Sequence, residues 1–308
     1  MSRIALVTDA DSINNDFDMP LLIDALKLIN VKTDVVQWDD KNIDWSIYTL
    51  VVIRSPWSYL NQHDDFIKWC EYVDNETTLL NPLRVIKWGL NKRYLIDLKN
   101  KGIGIVTTSL ILSNVSDVKN CVNKFIEENN LKDDIVIKPS VGAYSRGVRK
   151  FSVKDINDIV LYIKELHSCG NDVLLQPYLT SINSNGETDL VFFEGKYSHS
   201  IRKSALLQPD GSICEPLQEY RQTREASIAE WKVAQSALKA VTELFSLEES
   251  LLYARIDLVL NDSGLPVVLE MEICEPSLNL PFAEGSALRF AEAIRRRLFF
   301  KEYIEKRA

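Results

Sequence analysis

Short apolar runs alternate with amphipathic segments of helical period over the first part of the chain. Apolar runs at 4–8 and 50–53 are bounded by polar clusters, and the segment 17–30 between them carries leucine, alanine and isoleucine at helical spacing. Residues 33–38 predict a further short strand, and residues 64–73 predict a helix. This order of strands and helices predicts a small α/β domain at the N-terminal end.

The same alternation continues after Asn81-Pro82, which is the expected boundary of the first domain. In chain order, the predicted segments are a helix at 91–101, extended structure at 103–112, a helix at 116–129, a strand at 134–139, a helix at 154–166 and a strand at 173–179. Gly102 stands where the first of these helices should end, because glycine is the usual residue after a helix C-terminus.

The last third of the chain is richer in strands. Alternating patterns at 189–193, 196–203 and 256–260 predict strands, and the helical segments are 225–245 and 283–306. Residues 181–186 are expected to form a loop. The chain therefore predicts an α/β (α+β) fold in three parts: an N-terminal α/β domain at 1–85, a small central subdomain at 86–178 and a C-terminal mixed β-sheet subdomain at 179–308.

Composition narrows the range of partners. The 308 residues include 36 Lys and Arg against 44 Asp and Glu, and the resulting net charge of -8 does not suit a phosphate backbone or an anionic membrane. No run approaches the roughly 20 apolar residues of a spanning helix, and no signal-peptide core opens the chain, so we expect a cytoplasmic protein. The five cysteines and three histidines are too scattered to predict a zinc site.

A predicted hairpin near the C-terminus carries the densest charge. Two alternating strands flank Asp262-Ser263-Gly264, and a turn there places Asp257 opposite Glu270 and Arg255 opposite Glu272 on one face. Like charges about 4–5 Å apart repel by roughly 4 kcal/mol at an effective dielectric near 20. Either Arg255 bridges the acids on a solvated face, or Asp257, Glu270 and Glu272 form a carboxylate cage for one or two Mg²⁺ ions, with Mn²⁺ as the alternative metal.

The predicted strand at 134–139 carries a lysine near its end and is followed by a small-residue loop. Lys138 precedes a loop with two glycines, in which backbone N–H groups could bind phosphate oxygens beside the ammonium group. The loop lacks the spacing of a Walker A motif, and no Rossmann glycine pattern follows the first strand. By itself the segment is equally compatible with a simple turn.

A further strand, Leu174 to Leu179, has a backbone that could meet an adenine edge, and Glu187 beyond it could bind ribose hydroxyls. In isolation the same residues also fit an edge strand followed by a solvated glutamate. Arg202 and Lys203 add two cations in the β-rich region.

Taken in order, these motifs resemble the ATP-grasp superfamily from Pro82 to the C-terminus. The segment Arg54-Ser-Pro-Trp-Ser-Tyr59 and the segment Glu272 to Leu278 are similar to the group around glutathione synthetase-like ligases and D-cycloserine synthetase. The resemblance implies an ATP-grasp fold preceded by an α/β pre-ATP-grasp domain. Two departures are visible: many members have Asn where Glu272 stands, and related sequences often carry an acid where Ser58 stands.

The resemblance also implies roles for individual residues. ATP phosphates would contact Lys92, Lys138 and the loop residues Ser140, Gly142, Ser145 and Gly147, adenine would contact Gln176, Pro177, Tyr178 and Leu179, and ribose would contact Glu187. Mg²⁺ would be bound by Asp257, Glu270 and Glu272, while Arg202 and Lys203 would touch the terminal or acyl phosphate and Arg255 the tetrahedral intermediate. Substrate would be selected by Arg54, Trp57, Ser58, Tyr59, Glu275 and Ser277.

The implied activity is ATP-dependent joining of a carboxylate and an amine on a small amino-acid or peptide-like substrate, through an acyl phosphate and with release of ADP and phosphate. Two alternatives stay open: cyclisation of one amino-acid derivative, and an inactive nucleotide-binding protein. The presence of Arg255, Asp257 and both glutamates argues against the inactive alternative. Arg54 is expected to clamp a substrate carboxylate, or else Trp57 and Tyr59 merely pack against the next domain. Homodimers are common for such folds, so a homodimer is the expected assembly.

Overall fold

Three β-sheets organise residues 2–142, 145–214 and 219–305, which are the residues that the computed structural model describes. The first unit contains β1 (Ile4–Thr8), α1 (Met19–Leu28), β2 (Thr33–Gln37), β3 (Leu50–Ser55), α2 (His63–Glu76) and β4 (Thr78–Leu80). The next contains α3 (Leu83–Gly89), α4 (Tyr94–Asn100), β5 (Ser109–Ile111), α5 (Val118–Glu128), β6 (Asp134–Pro139), β7 (Arg149–Ser152), α6 (Ile156–Ser168) and β8 (Val173–Pro177). The last contains α7 (Ser181–Asn185), β9 (Glu187–Phe193), β10 (Lys196–Lys203), β11 (Arg221–Thr223), α8 (Ile228–Leu244), β12 (Tyr253–Leu260), β13 (Pro266–Glu272) and α9 (Ser286–Glu305).

The first sheet is parallel, with strand order β2-β1-β3-β4. Every residue of β1 and β3 is buried, as expected for parallel strands covered on both faces. Ile4 and Leu6 pack with α1 and α9, whereas Ala5 and Val7 pack with α2. The C-terminal helix therefore covers the N-terminal sheet.

The second sheet has the order β11-β10-β9-β12-β13, and its pairs are antiparallel. In the β12–β13 hairpin Asp257 pairs with Glu270 and Arg255 pairs with Glu272, which confirms the predicted register. Because side chains alternate along a strand, all four lie on one face of the sheet.

The third sheet has the order β5-β8-β6-β7 and is also antiparallel. Helices α5 and α6 bury their apolar sides against it, as Val122, Phe125, Ile159 and Ile163 show. The three sheets fall within the three predicted parts of the chain, although α9 packs on the first of them. The domain limits themselves stay a prediction.

Two features differ from the expected elements. Residues 181–185 form the short helix α7 rather than a loop, and Gly186 leaves it with φ of +66°. The short elements β4, α3, β7 and β11 were not predicted, because each is too short to show a period. Across the described residues, every helix is too short or too polar to traverse a lipid bilayer.

Candidate active site

A cleft lies between the second and third sheets, and the segment after β3 contributes to it. Its lining includes Lys138 from β6, Gln176 from β8, Lys203 from β10, Asp257 from β12 and Glu270 from β13. Residues far apart in the chain therefore meet here because two sheets and the segment after β3 border one space.

Glu270 lies between two lysines. Its Oε1 accepts from Lys138 Nζ at 3.2 Å and lies 3.5 Å from Lys92 Nζ. Burial alone would raise the pKa of Glu270, but the two ammonium groups lower it to about 2. Lys92 Nζ also donates to the Gly142 carbonyl at 2.8 Å, so it ties the small-residue loop to the hairpin.

Arg255 bridges the other two acids of the carboxylate cage. Its Nε and Nη2 donate to the two oxygens of Asp257 at 2.8 Å each, and Nη2 also donates to Glu272 at 2.6 Å. Burial raises the pKa of Glu272 to about 7 despite Arg255, whereas Arg255 and Lys203 overcome burial and lower the pKa of Asp257. The pKa values of two neighbouring acids of the cage are therefore shifted in opposite directions.

Sequence reasoning missed Asp189. Its side chain is fully buried, and its carboxylate lies 3.3 Å from Lys203 Nζ and 3.4 Å from Arg255 Nε. Lys203 also lies 3.2 Å from Glu187. One signal in the sequence could have found Asp189, because it is two residues after Glu187 and so lies on the same strand face. In the structure, β9 pairs it with Asp257.

Most of the predicted nucleotide residues meet at the cleft. Its lining includes Lys92, Lys138, Gly142, Ser145, Gln176, Pro177, Tyr178, Leu179 and Glu187. Gln176 is held by a hydrogen bond from its Nε2 to Thr108 Oγ1 at 2.9 Å. Burial lowers the pKa of Lys138, and Glu270 acts against that shift.

Five predicted residues are placed elsewhere. Ser140 is buried, and its backbone bonds to Asp172 and Lys92 below the loop. Gly147 packs near the Pro139 ring with φ of +71°, which makes it a turn residue. Arg202, expected to touch a phosphate, donates to the Ser184 carbonyl on the face of β10 opposite Lys203.

Ser58 is the fourth of them, because its backbone N–H donates to Asp9 Oδ2 at 2.8 Å and its side chain is not part of the cleft lining. Asp9 also accepts from Ser12 N at 2.7 Å, so this buried acid fixes the loop after β3 to the end of β1.

Arg54, which was expected to clamp a substrate carboxylate, lies outside the cleft lining. Its side chain is fully buried, its Nη2 donates to the Pro276 carbonyl at 3.0 Å, and Asp18 lies 3.9 Å away. The guanidinium lies over the rings of Tyr253 and Phe290. Arg54 therefore anchors the loop at 273–279, which follows β13, instead of facing the cleft.

Trp57, Tyr59, Glu275 and Ser277 do line the cleft together. Trp57 Nε1 donates to the Glu275 carbonyl at 3.0 Å, and the Tyr59 hydroxyl donates to Glu275 Oε1 at 2.6 Å. The Ser277 carbonyl accepts from Arg255 Nη1 at 2.8 Å. These bonds join the loop after β3 to the 273–279 loop.

The carboxylate groups suit a divalent metal. Asp257, Glu270 and Glu272 present oxygens within 4.8 Å of one another, and so do Glu187, Asp189 and Asp257. Carboxylate oxygens are the ligands that Mg²⁺ prefers. The first group is the predicted carboxylate cage, so the donor set fits the expected metal.

A relative from Streptomyces lavendulae, the cycloserine biosynthesis protein DcsG, is 40% identical over 298 residues, which are 97% of this chain and 99% of the relative. The chain belongs to the DcsG family. The crystal structure of D-cycloserine synthetase DcsG superposes with a TM-score of 0.93 at 40% identity, covering 96% of this chain and 100% of that chain. Residues 4–81 match the N-terminal domain of D-cycloserine synthetase DcsG.

More distant structures show the fold alone. D-alanine–D-alanine ligase from Bacillus anthracis is 15% identical with a TM-score of 0.67, over 99% of this chain and 100% of that one. The ATP-grasp ligase PsnB is 17% identical with a TM-score of 0.63, over 98% and 99%. Together with the DcsG match, they confirm the predicted ATP-grasp fold. The match to the synthetase DcsG confirms the prediction that this member of the DcsG family is an enzyme of the ligase class.

Proposed function

We propose that the chain closes the ring of an amino-acid derivative with ATP, as D-cycloserine synthetase does, and so forms a cyclic product such as D-cycloserine. A substrate carboxylate oxygen attacks the terminal phosphorus of ATP, which forms an acyl phosphate and breaks the bond to ADP. A nitrogen of the same molecule then attacks the acyl carbon, forms the C–N bond, loses its proton and expels phosphate. Of the two reactions that the sequence left open, the DcsG match favours cyclisation over ligation of two molecules.

One observation carries this proposal. Arg255, Asp257, Glu270 and Glu272 lie on one face of the β12–β13 hairpin, and Lys138 reaches the same place from the third sheet. Phosphoryl transfer needs cations and metal ligands placed around the transferred group, since its charge is spread over several oxygens. A site for nucleotide binding alone has no need for all of these groups.

The residues divide between the two steps. Lys92 and Lys138 would hold phosphate oxygens, while Gln176 to Leu179 would frame the adenine and Glu187 the ribose. Mg²⁺, held by Asp257, Glu270 and Glu272, would neutralise charge on the phosphates when bound. Arg255 and Lys203 would stabilise the negative oxygen that develops on the acyl carbon.

Product analysis tests the reaction. The probe is D-serine that carries a free amino group on its side-chain oxygen, because closing its carboxyl group onto that nitrogen gives the D-cycloserine ring. With Mg²⁺ and ATP, we expect one ADP, one phosphate and one ring for each turnover. Accumulation of AMP and pyrophosphate in that ratio would contradict the acyl phosphate.

The remaining expectations concern the substrate class, the metal, the location in the cell and the assembly. A small-molecule substrate fits the family match, whereas Mg²⁺ as the working metal, a cytoplasmic location and a homodimer stay predictions. Sedimentation of the purified chain tests the dimer, and substitution of Mn²⁺ for Mg²⁺ in the product assay tests the metal.

A further inference from the structure

The acids that line the cleft are not equally neutralised. Five of them lie in ion pairs: Glu187 with Lys203 at 3.2 Å, Glu219 with Arg221 at 2.8 Å, Asp257 with Arg255 at 2.8 Å, Glu270 with Lys138 at 3.2 Å and Glu272 with Arg255 at 2.6 Å. Glu275 lines the same cleft, but none of the described Lys, Arg or His side chains brings a nitrogen within 4.0 Å of it. Glu275 is thus the unneutralised acid of this set.

The position of Glu275 is fixed. The Tyr59 hydroxyl donates to its Oε1 at 2.6 Å, and Trp57 donates to its carbonyl at 3.0 Å. The carboxylate therefore has a hydroxyl donor beside it but no cation among the described side chains.

A metal ion is a poor match for this charge. Both acid groups whose oxygens lie within 4.8 Å of one another exclude Glu275. A single carboxylate held by a hydroxyl donor suits a monovalent organic cation, for which one charge-assisted hydrogen bond is sufficient.

The spacing along the chain suits a small ligand. Glu275 is three residues after Glu272, which Arg255 contacts, so its Cα lies no more than about 10 Å from that of Glu272. A molecule of amino-acid size could place its carboxylate near Arg255 and a cationic group near Glu275. This end of the cleft also contains Tyr59 and Trp57.

We propose that Glu275 binds the ammonium group of an amino-acid substrate and thereby selects substrates that carry a primary amine. This role rests on the proposed function only in taking the substrate to be an amino-acid derivative. Tyr59 is the positioning residue, because its hydroxyl orients the carboxylate.

Calorimetric titration of the full chain, with ADP and Mg²⁺ present, tests the assignment. The ligands form two pairs that differ at the amine: D-cycloserine with isoxazolidin-3-one, and D-serine with D-glycerate. The proteins are wild type, Glu275→Gln and the control Glu219→Gln, which makes the same change at a paired acid of the same cleft. ADP affinity of each variant reports whether its fold is intact.

We expect Glu275→Gln to bind at least one of the amine ligands about tenfold more weakly or worse, and to bind the amine-free partners as wild type does. Glu219→Gln should keep the amine preference. Tyr59→Phe leaves the carboxylate in place, so it should lose less affinity for the same ligand. This variant replaces Glu275→Gln in the test if Glu275→Gln does not fold.

Two outcomes overturn the ammonium site: no amine ligand depends on Glu275, or Glu219→Gln causes an equal loss. A Glu275-dependent preference seen with D-serine but not with D-cycloserine supports the ammonium site and contradicts the proposed ring product. Failure of this assignment and failure of the proposed function are therefore distinguishable.

Discussion

At the scale of single residues, the charge of each acid is decided by cations that come from other elements. The hairpin alone predicts that Asp257 and Glu270 repel each other. In the structure, Glu270 is paired with Lys92 and Lys138, and Asp257 is paired with Arg255 and Lys203. The sequence shows which acids face one another, but it does not show which lysines reach them.

This difference reverses one expectation. Repulsion across the hairpin predicts that Glu270→Gln raises the free energy of unfolding in the absence of metal or leaves it unchanged. Because the substitution removes the counter-charge of buried Lys138, we now expect the free energy of unfolding without metal to fall by on the order of 2 kcal/mol. Activity should fall by orders of magnitude and require more Mg²⁺, since a metal ligand is lost.

Thermal melts of wild type and Glu270→Gln, with and without Mg²⁺-ATP, check both effects. Glu243→Gln, at an acid that pairs with Lys239 on the surface of α8, is the matched control and should change neither stability nor turnover appreciably. If Glu270→Gln melts above wild type in the absence of metal, repulsion between Asp257 and Glu270 is the dominant effect after all.

The partners of single side chains also explain which site residues could be predicted from the sequence. Residues that follow an apolar strand directly, such as Lys138 and Gln176, lie in the cleft as expected. Arg54 also ends a strand, yet it is buried because Asp18 and the Pro276 carbonyl offer it partners inside the protein. Such partners are distant in sequence, so the pattern could not show them.

At the scale of elements, long segments with a clear period were predictable and short connecting elements were not. The predicted helix at 116–129 is α5 and the predicted strand at 196–203 is β10, with limits within a few residues. Strand β7 was missed because it is short and polar, with Arg149 and Lys150 at its start. Its place in the third sheet is set by pairing with β6.

The connection between α7 and β9 requires a glycine, which is Gly186. Its φ is +66°, and a Cβ at this position would collide with the Lys203 backbone carbonyl. We expect Gly186→Ala to lower the free energy of unfolding by about 3 kcal/mol or more. The cost of a positive φ for alanine adds to the cost of the clash between its Cβ and the Lys203 carbonyl. Gly264→Ala, at a glycine with φ of +72° and open space around it, should cost about 1 kcal/mol.

Urea denaturation of the two alanine variants measures the difference between them. Equal losses at Gly186 and Gly264 would mean that the contact with the Lys203 carbonyl does not constrain the turn.

Buried polar groups of three elements hold the 273–279 loop in place. One of these groups, His199, makes the free energy of unfolding depend on pH. His199 Nε2 donates to the Leu278 carbonyl at 2.8 Å, since a carbonyl can only accept, and Nδ1 faces the Ser198 hydroxyl at 2.9 Å. Burial lowers the pKa of His199 from 6.5 to about 4. The unfolded chain therefore binds a proton more readily between these values.

This contribution to stability is complete above pH 6.5 and is lost as pH falls toward 4, by up to about 1.4 kcal/mol per pH unit. Denaturation curves of wild type and His199→Gln at several pH values isolate it, because other titrating groups are common to both proteins. If the two proteins lose stability in parallel on acidification, His199 is not the group responsible.

At the scale of the whole molecule, one wall of the cleft depends on contacts between the N-terminal unit and the C-terminal segments. Helix α9 packs against β1 and β3, and Asp18 accepts from the backbone of Leu278 and Leu280. The loop that carries Glu275 is thus held by the N-terminal unit. The order of motifs predicted the ATP-grasp fold, but it could not predict this closure, which depends on contacts more than 200 residues apart.

The central claim is that a substrate carboxylate is phosphorylated before the ring closes. The most direct test uses D-serine with an amino group on its side-chain oxygen and heavy oxygen (¹⁸O) in its carboxyl group, turned over with ATP and Mg²⁺. Mass spectrometry of the released phosphate should find one ¹⁸O atom per molecule, because the acyl phosphate leaves with a carboxyl oxygen. Phosphate without ¹⁸O, formed in step with the ring, would contradict the account.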